Sequence, residues 1–307
     1  MSAPAEPAAS RAPRRGVLIY NPTAGQRDRR AAMHAVIDRM RGKGVELANA
    51  PTREPGHATR IVAEHLPERP DVVVVCGGDG TVSEAAAALL GTDVPLAILP
   101  GGTSNVLAVE LGIPFEVERA CRVILEGEIR TVRVAVANSR PFLLMAGVGL
   151  DARVMGRMSL FLKRWFGRAG IFVTALVEFL RYEFPRLDVE VDGAHHAATF
   201  AVVANSKHYG GDWIVAPDAS TESDSLEVLI FDSRRRRDLY RLFVGMKGGR
   251  GAHLKNGLSR IVRGRSVRIT SLEPYAVEGQ VDGDCVLETP LVCRVAERRL
   301  HVLAPRR

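Results

Sequence analysis

Val72 to Val75 is an unbroken run of four β-branched residues, continued by Cys76. A short uncharged stretch of this kind reads as a strand buried on both faces rather than one that alternates toward solvent. Gly16 to Tyr20 and Pro95 to Leu99 have the same character, and Val45 to Ala50 reads as a further strand. Between and after these runs the apolar spacing changes. Asp28 to Arg41 is helical, with Gly42 placed to end it, and Thr59 to His65 and the VLAVEL stretch after Asn105 are helical as well. Strands alternating with helices predict βαβ units and a parallel, Rossmann-like sheet over residues 16–125.

Beyond about residue 125 the period falls to two. Arg130 to Ala137, Leu187 to Val191, Arg265 to Ile269 and Arg299 to Val302 alternate. Phe200 to Ala204, Leu226 to Phe231 and Leu291 to Val295 add short β-rich runs, divided by turns such as Val191-Asp192-Gly193. Many short strands predict an all-β sandwich over 126–305, with a strand at 295–305 that can return to the first domain. One helical insertion is expected at about 151–182. Its Phe172, Leu176, Phe179 and Leu180 keep helical spacing, and just ahead Trp165 and Phe166 stand among Lys163, Arg164 and Arg168. A basic, aromatic, amphipathic segment can lie on an anionic bilayer, or it can pack on protein. Arg234 to Arg237 reads as a solvated helix start.

The chemistry sits where the strands of the first domain end. Gly77-Gly78-Asp79-Gly80 follows the valine run, Asn21-Pro22-Thr23-Ala24-Gly25 follows the first strand, and Pro100-Gly101-Gly102-Thr103-Ser104-Asn105 follows the 95–99 strand. Glycine lets the backbone approach a ligand closely, and a strand–loop–helix edge offers N–H groups to an anion. Thr81 with Glu84 forms a capping-box pattern, which predicts a helix starting there. A carboxylate at Asp79 would repel a phosphate, unless a Mg²⁺ bridges them or it holds a sugar hydroxyl. By itself the loop is also readable as a tight turn closing a core strand. Val281-Asp282-Gly283-Asp284 carries an Asp-Gly hairpin signal.

Composition adds little: 307 residues, 46% hydrophobic, 25% charged, as in an ordinary globular chain of about two domains. The net charge of +7 suits an anionic membrane surface, nucleic acid or a phosphorylated ligand. Four cysteines without CxxC spacing fit single thiols in a reducing compartment. Residues 1–15 have no apolar core of a signal peptide and read as a disordered polar lead-in. Ala169 to Val177, among the longest apolar runs, is about half a membrane span.

In order and spacing these motifs resemble the diacylglycerol kinase catalytic-domain family, bacterial lipid kinases related to sphingosine and ceramide kinases. The match runs through 21–25, Thr52 with Gly56-His57-Ala58, 77–81 and Leu99–Asn105. It continues through Gly147-Val148-Gly149-Leu150-Asp151-Ala152, Tyr209-Gly210-Gly211, Pro217-Asp218-Ala219 and 281–284. The resemblance implies an NAD kinase/phosphofructokinase-like α/β domain, a β-sandwich, and ATP in the cleft between them. It implies nucleotide contacts at Asn21, Pro22, Thr23, Ala24, Gly25, Thr52, Gly77, Gly78, Asp79, Gly80, Thr81, Val82, Ser83 and Thr103. Asp79 would engage Mg²⁺ through the nucleotide, and Asp282 or Asp284, the latter in place of the family Glu, would accept the lipid hydroxyl's proton.

The family's structural Mg²⁺ would fall on Ser220, Ser223 and Asp224. There the Asp-Gly-x-Leu-Asp pattern is replaced by Ser223-Asp224-Ser225-Leu226-Glu227. The activity implied is an ATP- and Mg²⁺-dependent lipid kinase that makes phosphatidic acid from diacylglycerol. It would work in the cytoplasm at a membrane surface, without nucleic acid, with a homodimer left open. An NAD kinase-like enzyme and an inactive nucleotide-binding membrane-surface protein are the alternatives.

Overall fold

A computed structural model describes residues 13–22, 29–102, 104–157, 173–211, 213–249, 251–255 and 257–307. Thr23, Ala24, Gly25, Thr103, the lead-in 1–12 and the basic–aromatic stretch through Phe172 lie outside the described residues.

β1 (Arg15–Tyr20), β2 (Glu46–Pro51), β3 (Val72–Gly77) and β4 (Leu96–Pro100) lie in the order β2-β1-β3-β4, all parallel. The crossovers are α1 (Arg30–Arg41), α2 (His57–His65) and α3 (Asp79–Leu89), and α4 (Val106–Leu111) and α5 (Val117–Glu126) follow β4. Leu18, Val72, Val74 and Cys76 pack with Val36, Ile37 and Met40 of α1 and with Cys121 and Ile124 of α5. The alternate residues Val17, Ile19, Val73 and Val75 are equally buried. Side chains of a strand alternate between faces, so the sheet is covered on both, as the continuous apolar runs require. Contacts make residues up to Val132 one unit, together with Arg298–Arg307 at the end of the chain. Within it Val302 pairs with Leu96 in parallel.

The second unit is Arg133–Glu297. Its first strands are β5 (Glu128–Ala137), which begins in the first unit, β6 (Arg140–Phe142) and β7 (Met145–Val148). Then come α6 (Leu150–Arg157), α7 (173–181), β8 (Leu187–Val191), β9 (Ala194–Ala198) and β10 (Phe200–Ala204). The short pair β11 (His208–Tyr209) and β12 (Trp213–Ile214) precedes β13 (Leu226–Phe231) and α8 (Arg236–Lys247). Last are β14 (Ser259–Gly264), β15 (Ser266–Ser271), β16 (Glu278–Val281), β17 (Asp284–Glu288) and β18 (Leu291–Ala304). One antiparallel sheet runs β14-β13-β10-β7-β16-β17, and β18-β15-β8-β9 forms the other layer. Ala146, Val203, Val228 and Val281 of the first layer meet Val189, Val267, Ile269 and Leu291 of the second in one core. This is the sandwich expected from the period-two stretches.

Local differences have local reasons. Leu291–Val295 and Arg299–Val302 are one continuous 14-residue strand, because the intervening residues stay extended, with Glu297 and Arg298 exposed. Helix α3 begins at Asp79 with Gly78 as N-cap, not at Thr81. Glu84 therefore does not close a capping box on its own helix. Its carboxylate accepts the N–H groups of Gly56 (2.8 Å) and Ala58 (3.2 Å) at the start of α2. Helix α5, whose Ala120, Cys121 and Ile124 are its buried positions, is absent from the pattern reading.

Candidate active site

The C-terminal ends of β1, β3 and β4 carry the three glycine-bearing loops, and the described parts of those loops are bonded to one another. The Gly77 carbonyl accepts the Gly101 N–H at 3.0 Å and the Asn105 side-chain amide at 2.7 Å. The Asn105 oxygen accepts the Gly102 N–H at 2.6 Å. Arg29, just after the 21–25 loop, donates to the Gly101 carbonyl. Packing is tight: a Cβ on Gly102 would lie 2.4 Å from the Gly78 Cα, and one on Gly77 would lie 2.9 Å from the Thr81 Cβ. At Gly80 a Cβ would meet nothing within 4 Å, so the side of the loop at the helix start is open. Glycines that admit a neighbouring backbone, next to the N-terminus of α3, fit the phosphates of a nucleotide.

Asp79 is half-buried at the first turn of α3. Burial pushes its carboxyl above the usual range, and the backbone N–H groups of Val106, Leu107 and Asn105 oppose that shift. The carboxylate thus faces the start of α4 and links the β3 loop to the β4 loop. Thr52 is buried, and its N–H donates to the Tyr20 carbonyl at 2.8 Å, which sets it beside the β1 end. Asn21 is half-buried and Pro22 buried at that same end. Thr81 and Ser83 are half-buried on α3, while Val82 is 2% exposed and points into the core. His57 accepts the Arg53 N–H at 3.1 Å and is a loop-forming residue.

In the second unit Asp282 and Gly283 form the turn between β16 and β17, with φ of 48° and 91°. Two positive φ values make the tight turn that Asp-Gly favours. The acid pair is divided by its surroundings. Asp282 accepts three backbone N–H groups, from Leu143 (2.7 Å), Leu144 (2.9 Å) and Met145 (3.0 Å). Asp284 opens β17 with an exposed side chain. The three donors hold the Asp282 carboxylate in the turn, whereas Asp284 stands at the surface.

The residues at the expected structural metal are engaged with protein partners. Asp224 is paired with Arg133 and, at 3.8 Å, with Arg265. The Ser223 hydroxyl bonds the Ser225 hydroxyl (3.0 Å) and accepts the Ser225 N–H, and Ser220 accepts the Glu222 N–H. A cation at Asp224 would face two guanidinium groups, and the position of the family's ligand Asp is Ser223 here. Among the described residues no cluster of three His, Cys, Asp or Glu side chains could hold a metal.

Asn105 lies within the 100–105 motif, yet neither it nor Arg29 has a role that the sequence pattern assigns. The signal available for Asn105 was an Asn just before a helix, a residue type that tolerates the left-handed backbone found here (φ 44°).

The family model for the diacylglycerol kinase catalytic domain matches residues 15–137. The model for the YegS C-terminal NAD kinase beta sandwich-like domain matches 145–304. A protein of Mycobacterium tuberculosis named diacylglycerol kinase is 29% identical over 298 residues, covering 94% of each chain. A Pseudomonas aeruginosa protein named "Probable lipid kinase YegS-like" is 31% identical over 300 residues, covering 94% of this chain and 93% of its own. A crystal structure from Bacillus anthracis str. Sterne superposes with a TM-score of 0.80 at 24% identity, over 96% of this chain and 98% of that one, and shares the fold.

Proposed function

The chain belongs to the diacylglycerol kinase catalytic-domain family, and we propose that it transfers the γ-phosphoryl group of ATP, with Mg²⁺, to the hydroxyl of diacylglycerol or a related lipid alcohol, giving phosphatidic acid or its analogue. The observation that carries the proposal is the bonded set of glycine loops at the C-terminal edge of the parallel sheet, with Gly77, Gly101, Gly102 and Asn105 at its centre.

In this reading the backbone N–H groups of the 77–80 and 101–102 loops and the start of α3 hold the phosphates. Asn21, Pro22, Thr52, Thr81 and Ser83 bound the rest of the nucleotide, together with Thr23, Ala24, Gly25 and Thr103. Bound Mg²⁺ supplies charge neutralisation on the phosphate oxygens, and Asp79 is the carboxylate beside it. Asp284 takes the proton of the acceptor hydroxyl, and Asp282 holds the turn that presents it. Lipid as acceptor is supported by the names of the relatives and by α7. Its Val173, Leu176, Val177 and Leu180 are exposed, and Leu180 is 60% exposed. Such a row suits a bilayer surface.

The test is an assay with radiolabelled ATP against a total lipid extract, with products identified by mass spectrometry. A labelled lipid phosphate is expected. Phosphorylation of NAD without lipid would replace the reading with an NAD kinase-like one. ATP binding without turnover on any lipid would leave a nucleotide-binding protein without kinase activity.

A further inference from the structure

A buried carboxylate is joined to the Asp282-Gly283 turn by a single side chain. Asp151, in the first turn of α6, is 4% exposed, and Gln280 of β16 is 3% exposed. The Gln280 amide donates from Nε2 to Asp151 Oδ2 at 3.0 Å and accepts the Gly283 N–H at Oε1 at 2.8 Å. The other Asp151 oxygen accepts the Ala152 N–H at 2.8 Å. Gly147 stands opposite Gln280 in register, and a Cβ there would lie 1.9 Å from Asp151 Oδ2. The sheet gives up a side chain to admit this carboxylate.

An ionised carboxylate only accepts, so it turns the Gln280 NH₂ toward itself and leaves Oε1 for Gly283. A protonated Asp151 can instead donate to Oε1, which would set the NH₂ against the Gly283 N–H, donor against donor. The amide therefore transmits the charge state of Asp151 to the turn.

We propose that Gln280 and Asp151 are positioning residues for phosphoryl transfer: the Asp151 carboxylate orients the Gln280 amide, and the amide holds Gly283 and fixes where Asp284 stands. This rests on the reading of 281–284 as the hairpin that takes the hydroxyl proton. Burial pushes the Asp151 carboxyl up to about 6, so the switch falls in an accessible range. Helix α6 packs against β7, β16 and β17. The titratable groups nearby are Tyr182 and Tyr209, both held neutral by burial, with Arg153, Arg157, Glu178 and Glu278 in ion pairs beside them. Asp282 and Asp284 lie on the hairpin itself.

The variants are Gln280→Met, of similar length without the hydrogen bonds, and Gln280→Glu. Initial rates on diacylglycerol in mixed micelles are measured from pH 5 to 8, with the unfolding midpoint and the amide exchange of Gly283. In Gln280→Met, kcat should fall roughly 10- to 100-fold with KM for ATP changed less than about twofold, and Gly283 should exchange faster. Gln280→Glu should be impaired at pH 8, where two carboxylates confront each other. It should recover toward pH 5.5, where the pair shares a proton and residue 280 donates again, while the wild type declines there. A wild-type kcat in Gln280→Met, or a Gln280→Glu profile parallel to the wild type, overturns the proposal. Unchanged Gly283 exchange in Gln280→Met does so whatever the assay gives. A wild-type protein that phosphorylates no lipid overturns the functional reading instead.

Discussion

Asn105 and Gly77, 28 positions apart, are joined by a 2.7 Å hydrogen bond from side-chain amide to backbone carbonyl, and the same side chain accepts the Gly102 N–H. One buried residue thus sets the spacing of two loops. Asn105→Ala leaves buried backbone groups without their partner and places alanine at positive φ. The expected loss of stability is about 2–4 kcal/mol, with weaker ATP binding. Denaturant unfolding and calorimetric titration with ATP check both effects.

The two acids of the hairpin should separate experimentally. Asp282→Ala removes the acceptor of three N–H groups and should cost about 3 kcal/mol or more of stability. Asp284→Asn, at an exposed position, should leave the unfolding midpoint within about 1 °C while kcat falls ~10²- to 10⁴-fold. Equal stability loss in both variants would remove the division of roles.

Glu84 should matter for a helix other than its own. Glu84→Ala strips the N–H groups of Gly56 and Ala58 of their carboxylate, at a cost of about 1–2 kcal/mol. Hydrogen exchange should rise at the start of α2, whereas loss confined to the start of α3 would restore the capping-box reading.

Chelation tests whether a structural metal is bound. With no nucleotide present, EDTA should shift the unfolding midpoint by less than about 1 °C. Asp224→Asn should cost no more than about 1 kcal/mol, because that carboxylate is 52% exposed and its pairing is with arginines. Stabilisation by millimolar Mg²⁺ that vanishes in Asp224→Asn would contradict this.

Asp151 predicts a pH dependence of stability. Its carboxyl is pushed up to about 6 by burial, against about 4 in the unfolded chain. Between those values the folded state keeps a proton that the unfolded state releases. Stability therefore falls as pH rises from about 4 to 6, by on the order of 3 kcal/mol, and this part is flat above that. Subtracting the same curve for Asp151→Asn isolates the effect, and two parallel curves would exclude it.

What the sequence made legible follows physical range. Val72–Val75 announced a two-face-buried strand because its burial depends on its own residues, and Asp282-Gly283 announced its turn for the same reason. The expected start of α3 at Thr81 failed because Glu84 found donors on another helix, a choice that tertiary structure makes. The same holds for Asn105 and Gln280. Each is an ordinary amide in the sequence, and only the fold shows which carbonyl or carboxylate it meets.

The last strand bears on how the chain is made. Leu291–Ile269 pairing secures one end of β18 in the second unit, and Val302–Leu96 pairing secures the other in the first. The strands β1 to β4 can pair before the rest of the chain is made, but the edge of β4 waits for the stretch around Val302. During synthesis that edge is open to wrong partners, and a chain cut short near residue 290 keeps it open for good.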